Sequence, residues 1–231
     1  MTANNATVVL VHGAWADGSS WAKVILALAA SGVKAVAAPL PLTSFHDDVS
    51  ALGRTLKRVE GPVVLAGHAY AGGVIGATRM ENVKALVYVA ALAPDEGETV
   101  ADVFSRGSPH PQAPKLAPDA HGWMYLPDSA FLGAFAQSAS KEELAVLAAV
   151  QRPISPACIT VKVGRPLWKD LPSWFLVAEQ DRMIVAENQR FMAARMKARV
   201  RSHPVDHTPM VTAPSPVVDI IREAIGEAVK G

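Results

Sequence analysis

Short apolar runs rich in β-branched residues alternate along this chain with longer stretches of helical spacing. The runs fall at Thr7–Val11, Val33–Ala38, Pro62–Ala66, Ala85–Ala90, Ser173–Ala178 and Val200–Val205. Such alternation predicts a parallel sheet with helices on both faces. The spacing predicts helices over Ser19–Ala30, Asp47–Val59, Gly72–Arg79, Ala186–Lys197 and Pro216–Val229. Ser31-Gly32 ends the first of these, and Glu60-Gly61-Pro62 separates the second from the strand that follows. Glycine after a last helical turn and proline beyond it are ordinary stop signals.

The stretch from Pro94 to Pro172 breaks this rhythm. It carries Ser108-Pro109-His110-Pro111-Gln112-Ala113-Pro114, Leu126-Pro127 and Arg152-Pro153, with helical patterns only around 129–139 and 141–149. So long a run between two strands of one sheet reads as an inserted lid, and lids line substrate pockets. The expectation is one domain over residues 1–231, with a lid at 94–172.

Composition narrows the function classes. Half of the 231 residues are apolar and the formal net charge is +1. No basic stripe interleaved with aromatics is visible, so nucleic acid is not an expected partner. The start of the chain, Met1 to Ala6, leads directly into Val8–Val11, too short for a membrane span or a signal-peptide core. A cytoplasmic protein that meets a small molecule, and no membrane, is the expectation; a homodimer is left open. Cys158 is the single cysteine, so neither an internal disulfide nor a cysteine metal cluster can form. His46-Asp47-Asp48 and Ser202-His203-Pro204 lack a metalloprotease spacing. No dinucleotide-binding glycine pattern follows the first strand. No cofactor and no metal are expected.

Chemistry concentrates at strand ends. Val63-Val64-Leu65-Ala66-Gly67-His68-Ala69-Tyr70-Ala71-Gly72-Gly73 runs from an apolar stretch into a small-residue turn that opens a helix. That is the context of the G-x-S-x-G elbow, in which a sharp turn lifts a serine hydroxyl above a parallel sheet. The nucleophile position here is Ala69, which has nothing to attack with. Val11-His12-Gly13-Ala14-Trp15 follows the first strand, Ala178-Glu179-Gln180-Asp181 a late one, and Asp206-His207-Thr208-Pro209-Met210 comes near the end.

With these four motifs in this order the whole chain resembles an α/β-hydrolase, in the compact branch that holds plant hydroxynitrile lyases and methyl-ester esterases. The resemblance implies a doubly wound, mostly parallel sheet with a small lid. It assigns Asp181 and His207 as triad acid and base, and Ala69 as the nucleophile position. It gives the N–H groups of Ala14 and Tyr70 to an oxyanion hole, with His12, Gly13 and Trp15 forming the facing wall. The plainer reading makes Asp181 a helix cap, His207 a loop histidine and His12-Gly13 an ordinary turn. Glu179 and Asp206 stand nearby as substitutes for the acid, a solvated surface role being the expectation for both. Trp15, Trp123, Met124, Tyr125, Phe131 and Trp168 are expected either to shape the pocket or to fix the lid to the core.

Losing the serine from such a triad costs up to roughly a millionfold in turnover. Three explanations compete: an esterase inactivated by a serine-to-alanine change, a catalyst using Asp181–His207 on water or a substrate proton, and a non-catalytic binder. Ala71 stands where glycine is usual, and two departures within five positions favour a natural variant. Hydrolysis of a small apolar ester or carbonyl compound without a serine nucleophile is therefore the expected activity. A general-base lyase is the alternative. Against the cyanide-releasing lyases, Thr208 stands where they carry lysine and Val11 where they carry threonine. Cys158 lacks a strand-turn setting and reads as a small core thiol. Ser19, Ser20, Thr43 and Ser44 read as helix caps.

Overall fold

The computed structural model describes residues 6–228. Six strands form one sheet: β1 (Thr7–Val11), β2 (Ala35–Ala38), β3 (Val63–His68), β4 (Val83–Val89), β5 (Ser173–Ala178) and β6 (Arg199–His203). Their order is β2-β1-β3-β4-β5-β6, every neighbouring pair parallel. The chain starts in the middle, steps outward, crosses back over β1 and then runs to the other edge. That reversal between β1 and β3 is where an open parallel sheet forms a crevice at its carboxyl ends.

Around the sheet lie α1 (Ala22–Ala30), α2 (Phe45–Leu56), α3 (Ala71–Ala77), α4 (Val100–Phe104), α5 (Asp128–Ala130), α6 (Lys141–Ala149), α7 (Ala186–Arg195), α8 (Pro209–Thr212) and α9 (Pro214–Ala228). β1, β3 and β5 are buried at every position, so burial rather than alternation dictates their unbroken apolar sequence. The edge strand β6 is exposed over Arg199–Ser202. Its apolar content is accordingly low, and charge protects an edge from unwanted pairing.

Element bounds shift in instructive ways. The first helix is preceded by a 3-10 turn at Gly18–Trp21 whose cap is Asp17, not Ser19 or Ser20. Ser44 does cap α2, accepting from the Asp47 N–H at 3.1 Å. The pattern around 129–139 forms α5 and then a π-helical turn, Phe131–Phe135, closed by the Ala136 N–H on the Phe131 carbonyl. The last helix begins at Pro214, and the expected end at Val229 lies outside the described residues. Among the described residues no helix is long and apolar enough to cross a membrane.

Candidate active site

β3 is buried throughout and ends at His68; the next residue, Ala69, has φ +49°, and Tyr70 is already helical at φ −50°. A left-handed alanine costs about 1 kcal/mol relative to ordinary backbone, so the turn is held by its surroundings. Leu92 and Gly72 donate their N–H groups to the Ala69 carbonyl at 2.9 and 3.1 Å, and the Ala69 N–H reaches the Val89 carbonyl. Gly72 admits no side chain, since a Cβ there would stand 2.3 Å from the Leu92 carbonyl oxygen. The sharp turn of an elbow is thus intact around a residue without a nucleophile.

Asp181 and His207 meet. They follow β5 and β6, two adjacent strands, and the His207 Nδ1–H donates to Asp181 Oδ2 at 2.8 Å, both side chains almost wholly buried. Three further donors hold the carboxylate: Gln189 Nε2 on Oδ2 at 2.8 Å, and the Met183 and Ile184 N–H groups on Oδ1 at 2.7 and 2.8 Å. An acceptor so placed fixes which imidazole nitrogen carries the proton and leaves the other free for chemistry. The helix-cap reading of Asp181 is not what these bonds show, because α7 begins only at Ala186.

His207, Ala69, Tyr70, Ala14 and Trp15 line one cavity of about 210 Å³, closed by Leu92, Val100, Phe104, Leu116, Met124, Ile154 and Met183 among others. The N–H groups of Ala14 and Tyr70 donate to no other group among the described residues. They are free to meet an oxygen, as an oxyanion hole requires. Apart from His207 and Tyr70, the one polar side chain on the lining is Ser105, at an exposed position.

Of the large side chains expected at the pocket, Trp15 and Met124 line it, and Trp15 Nε1 donates to the Met124 carbonyl at 2.9 Å. Trp123 and Tyr125 lie outside that lining, Tyr125 half exposed. Alternation along an extended segment explains it: Met124, bonded to Ile154, points inward, so its neighbours point away. Phe131 packs behind Phe135, and Trp168 borders a separate crevice against Gly72 and Gly76. Asp206 is fully buried rather than solvated, while Glu179 pairs with Arg190 near the surface.

A family model for the alpha/beta hydrolase family matches residues 8–220. The chain belongs to that family. Among solved structures the hydrolase is similar to polyneuridine aldehyde esterase, at 20% identity and a TM-score of 0.78, over 94% of this chain and 98% of that one. It is similar to a pyrethroid hydrolase from Sphingobium faniae at 19% identity and a TM-score of 0.82, over 98% and 99% of the two chains. A variant of tomato methylketone synthase I complexed with β-ketoheptanoate shares 18% identity at a TM-score of 0.80, over 96% and 98%. No curated protein matches this hydrolase.

Sequence reasoning missed what stands behind the elbow. Asp48 of α2 is fully buried, accepting from the Tyr70 hydroxyl at 2.6 Å, the Leu42 N–H at 2.7 Å and the Cys158 thiol at 3.6 Å. Burial raises the Asp48 carboxyl above its usual range and pushes the Cys158 thiol up to about 12. Asp48 ties the ring of Tyr70 to the left-handed Leu42 (φ +61°). Adjacent Asp47 and Asp48 look alike in sequence as helix-start acids, and only the packing turns one inward. Asp48→Ala would leave the Tyr70 hydroxyl and the Leu42 N–H buried without a partner, a loss of about 3 kcal/mol of folding free energy. Urea unfolding at neutral pH measures it, and an unchanged midpoint would contradict the assignment.

Two buried histidines brace the walls. His12 Nε2 accepts from the Leu40 N–H at 3.0 Å, which puts its proton on Nδ1, bonded to the Gly13 carbonyl. His68 Nε2–H donates to the His207 carbonyl at 2.7 Å. Burial lowers His12 and holds His68 well below its ordinary value of 6.5, His207 adding to the latter effect. The unfolded chain takes up protons near pH 6.5 that these folded imidazoles refuse. Stability is therefore full above that pH and falls on acidification, by up to about 1.4 kcal/mol per pH unit for each histidine. Urea melts at pH 7.5 and 5.5 would show the drop; equal stability at the two would count against it.

Proposed function

We propose that this hydrolase turns over a small apolar ester or carbonyl compound by acid–base chemistry at His207 and Asp181, with no covalent intermediate at residue 69. One observation carries the reading: a histidine oriented by a buried aspartate, and two residues with free N–H donors, border the same apolar cavity as Ala69. The substrate carbonyl oxygen would accept from the Ala14 and Tyr70 N–H groups. The free nitrogen of His207 would take a proton from water as it attacks, or return one to the leaving group. The cavity lining includes no Asp, Glu, Lys or Arg side chain, which suits a compact, largely apolar substrate.

Carbon–carbon cleavage is the second reading, favoured by the similarity to a methylketone synthase complexed with β-ketoheptanoate. Loss of CO₂ from a β-keto acid needs no nucleophile. The bond between the α-carbon and the carboxylate breaks, its electron pair flows into the ketone as an enolate, and a proton then returns to the α-carbon. Two N–H donors on the ketone oxygen would stabilise that enolate, and an apolar cavity disfavours the charged carboxylate at the start. The reading is tested by incubating the chain with p-nitrophenyl butyrate and, separately, with β-ketoheptanoate, following nitrophenolate and CO₂. His207→Ala serves as the control. Catalytic release of either product, lost in the variant, supports the proposal and chooses between hydrolysis and cleavage. Saturable binding with no product from either compound would overturn it in favour of a binder.

A further inference from the structure

The four residues that flank Asp181 and His207 in sequence share one destination. Gln180 offers its carbonyl to Gln137 Nε2 at 2.6 Å, and Arg182 Nη1 donates to the Gly133 carbonyl at 2.9 Å. On the other strand end, Asp206 Oδ2 accepts from the Ser138 N–H at 3.0 Å, and Thr208 Oγ1 donates to the Phe135 carbonyl at 3.2 Å. All four partners lie between residues 133 and 138, on and just after the π-helical turn Phe131–Phe135.

The same turn lays the buried Phe135 ring against the His207 imidazole, centroid to centroid 5.4 Å, and against His68 and Trp15 at 6.4 Å each. A π-helical turn inserts a residue into a helix and re-aims the carbonyls around it, and such turns recur at functional sites. Here it brings the carbonyls of Gly133 and Phe135 and the N–H of Ser138 to face two separate loops. Among the four, Asp206 makes the most side-chain hydrogen bonds. It is fully buried, and its Oδ1 also accepts from the Thr208 N–H at 3.1 Å and the Thr212 hydroxyl at 2.6 Å.

We propose that residues 131–138 form a clamp that holds the loops of Asp181 and His207 in register, with Asp206 and Thr208 as its positioning residues on the histidine side. The inference rests on reading Asp181–His207 as the acid–base pair. It adds that this pair is assembled by the segment between β4 and β5 and not by the sheet alone. Undocking the clamp releases the imidazole from the carboxylate.

The test is NMR of the ¹⁵N-histidine-labelled chain, following the His207 Nδ1–H proton, identified by its absence in His207→Gln. In the unaltered chain this proton is hydrogen-bonded to Asp181 and is expected to exchange slowly. Asp206→Asn replaces one acceptor oxygen with a donor that faces an N–H or hydroxyl; Thr208→Val removes only the hydroxyl that grips the Phe135 carbonyl. Each is expected to speed exchange of that proton by about tenfold or more while the thermal melt remains cooperative, because local opening sets the rate. Should Asp206→Asn fail to fold, Thr208→Val decides alone. Unchanged exchange in the folded variants overturns the clamp. The readout needs no substrate, so it separates from the turnover experiment: activity loss in His207→Ala tests the acid–base reading, and proton exchange tests the clamp.

Discussion

Ala69→Ser is expected to raise hydrolysis of p-nitrophenyl butyrate by at least about a thousandfold over the unaltered chain, the scale set by nucleophile removal in serine hydrolases. The expectation rests on the preserved surroundings of the turn. The residue already occupies the left-handed turn at φ +49°, and it borders the cavity with His207. His207 is held by a buried aspartate at 2.8 Å, and the Ala14 and Tyr70 N–H groups are free for a developing oxyanion. Ala71, the second departure from the usual elbow, is fully buried without displacing it. A new hydroxyl would stand where the imidazole can take its proton. Release of nitrophenolate over time measures the gain. A rate unchanged by the substitution would mean that the cavity has been reshaped around the missing serine, despite the preserved backbone.

His207→Ala is expected to lower turnover of the chain's own substrate by about 10²- to 10⁴-fold, the usual contribution of a positioned general acid or base. Asp181→Asn should cost a similar amount. An amide nitrogen in place of Oδ2 would face the Gln189 amide and the His207 Nδ1–H, driving the imidazole to the wrong tautomer. Substrate binding should survive both changes, since the cavity walls are otherwise apolar. The two steady-state constants, measured for both variants with whichever compound the chain consumes, separate the effects. Undiminished kcat in His207→Ala would remove the pair from the mechanism.

How much of this was legible beforehand varies with the range of the interactions. The strand at 63–68, the helix at Lys141–Ala149 and the turn around Ala69 follow from local pattern, because an unbroken apolar run or a capped helix is specified within a dozen residues. Asp181 and His207 were legible as an ordered pair of strand-end residues. Their 2.8 Å contact depends on β5 and β6 being neighbours, 26 positions apart in sequence. Trp123 lies outside the cavity lining because side chains of an extended segment alternate and Met124 takes the inward position. The Asp48–Tyr70–Cys158 cluster left no local trace, being assembled from three distant segments. Asp206 was misjudged for the same reason: its partners include Ser138.

Local sequence accounts for the parallel sheet and for the sharp turn at Ala69. These rest on periodicity and turn chemistry, which act over neighbouring residues. Which carboxylates are buried, which aromatics face the cavity, and the hydrogen bonds that join residues 133–138 to the segments around Asp181 and His207 emerge only from the packed chain. Burial and hydrogen bonding between distant segments depend on how the layers pack, and packing is a property of the whole chain.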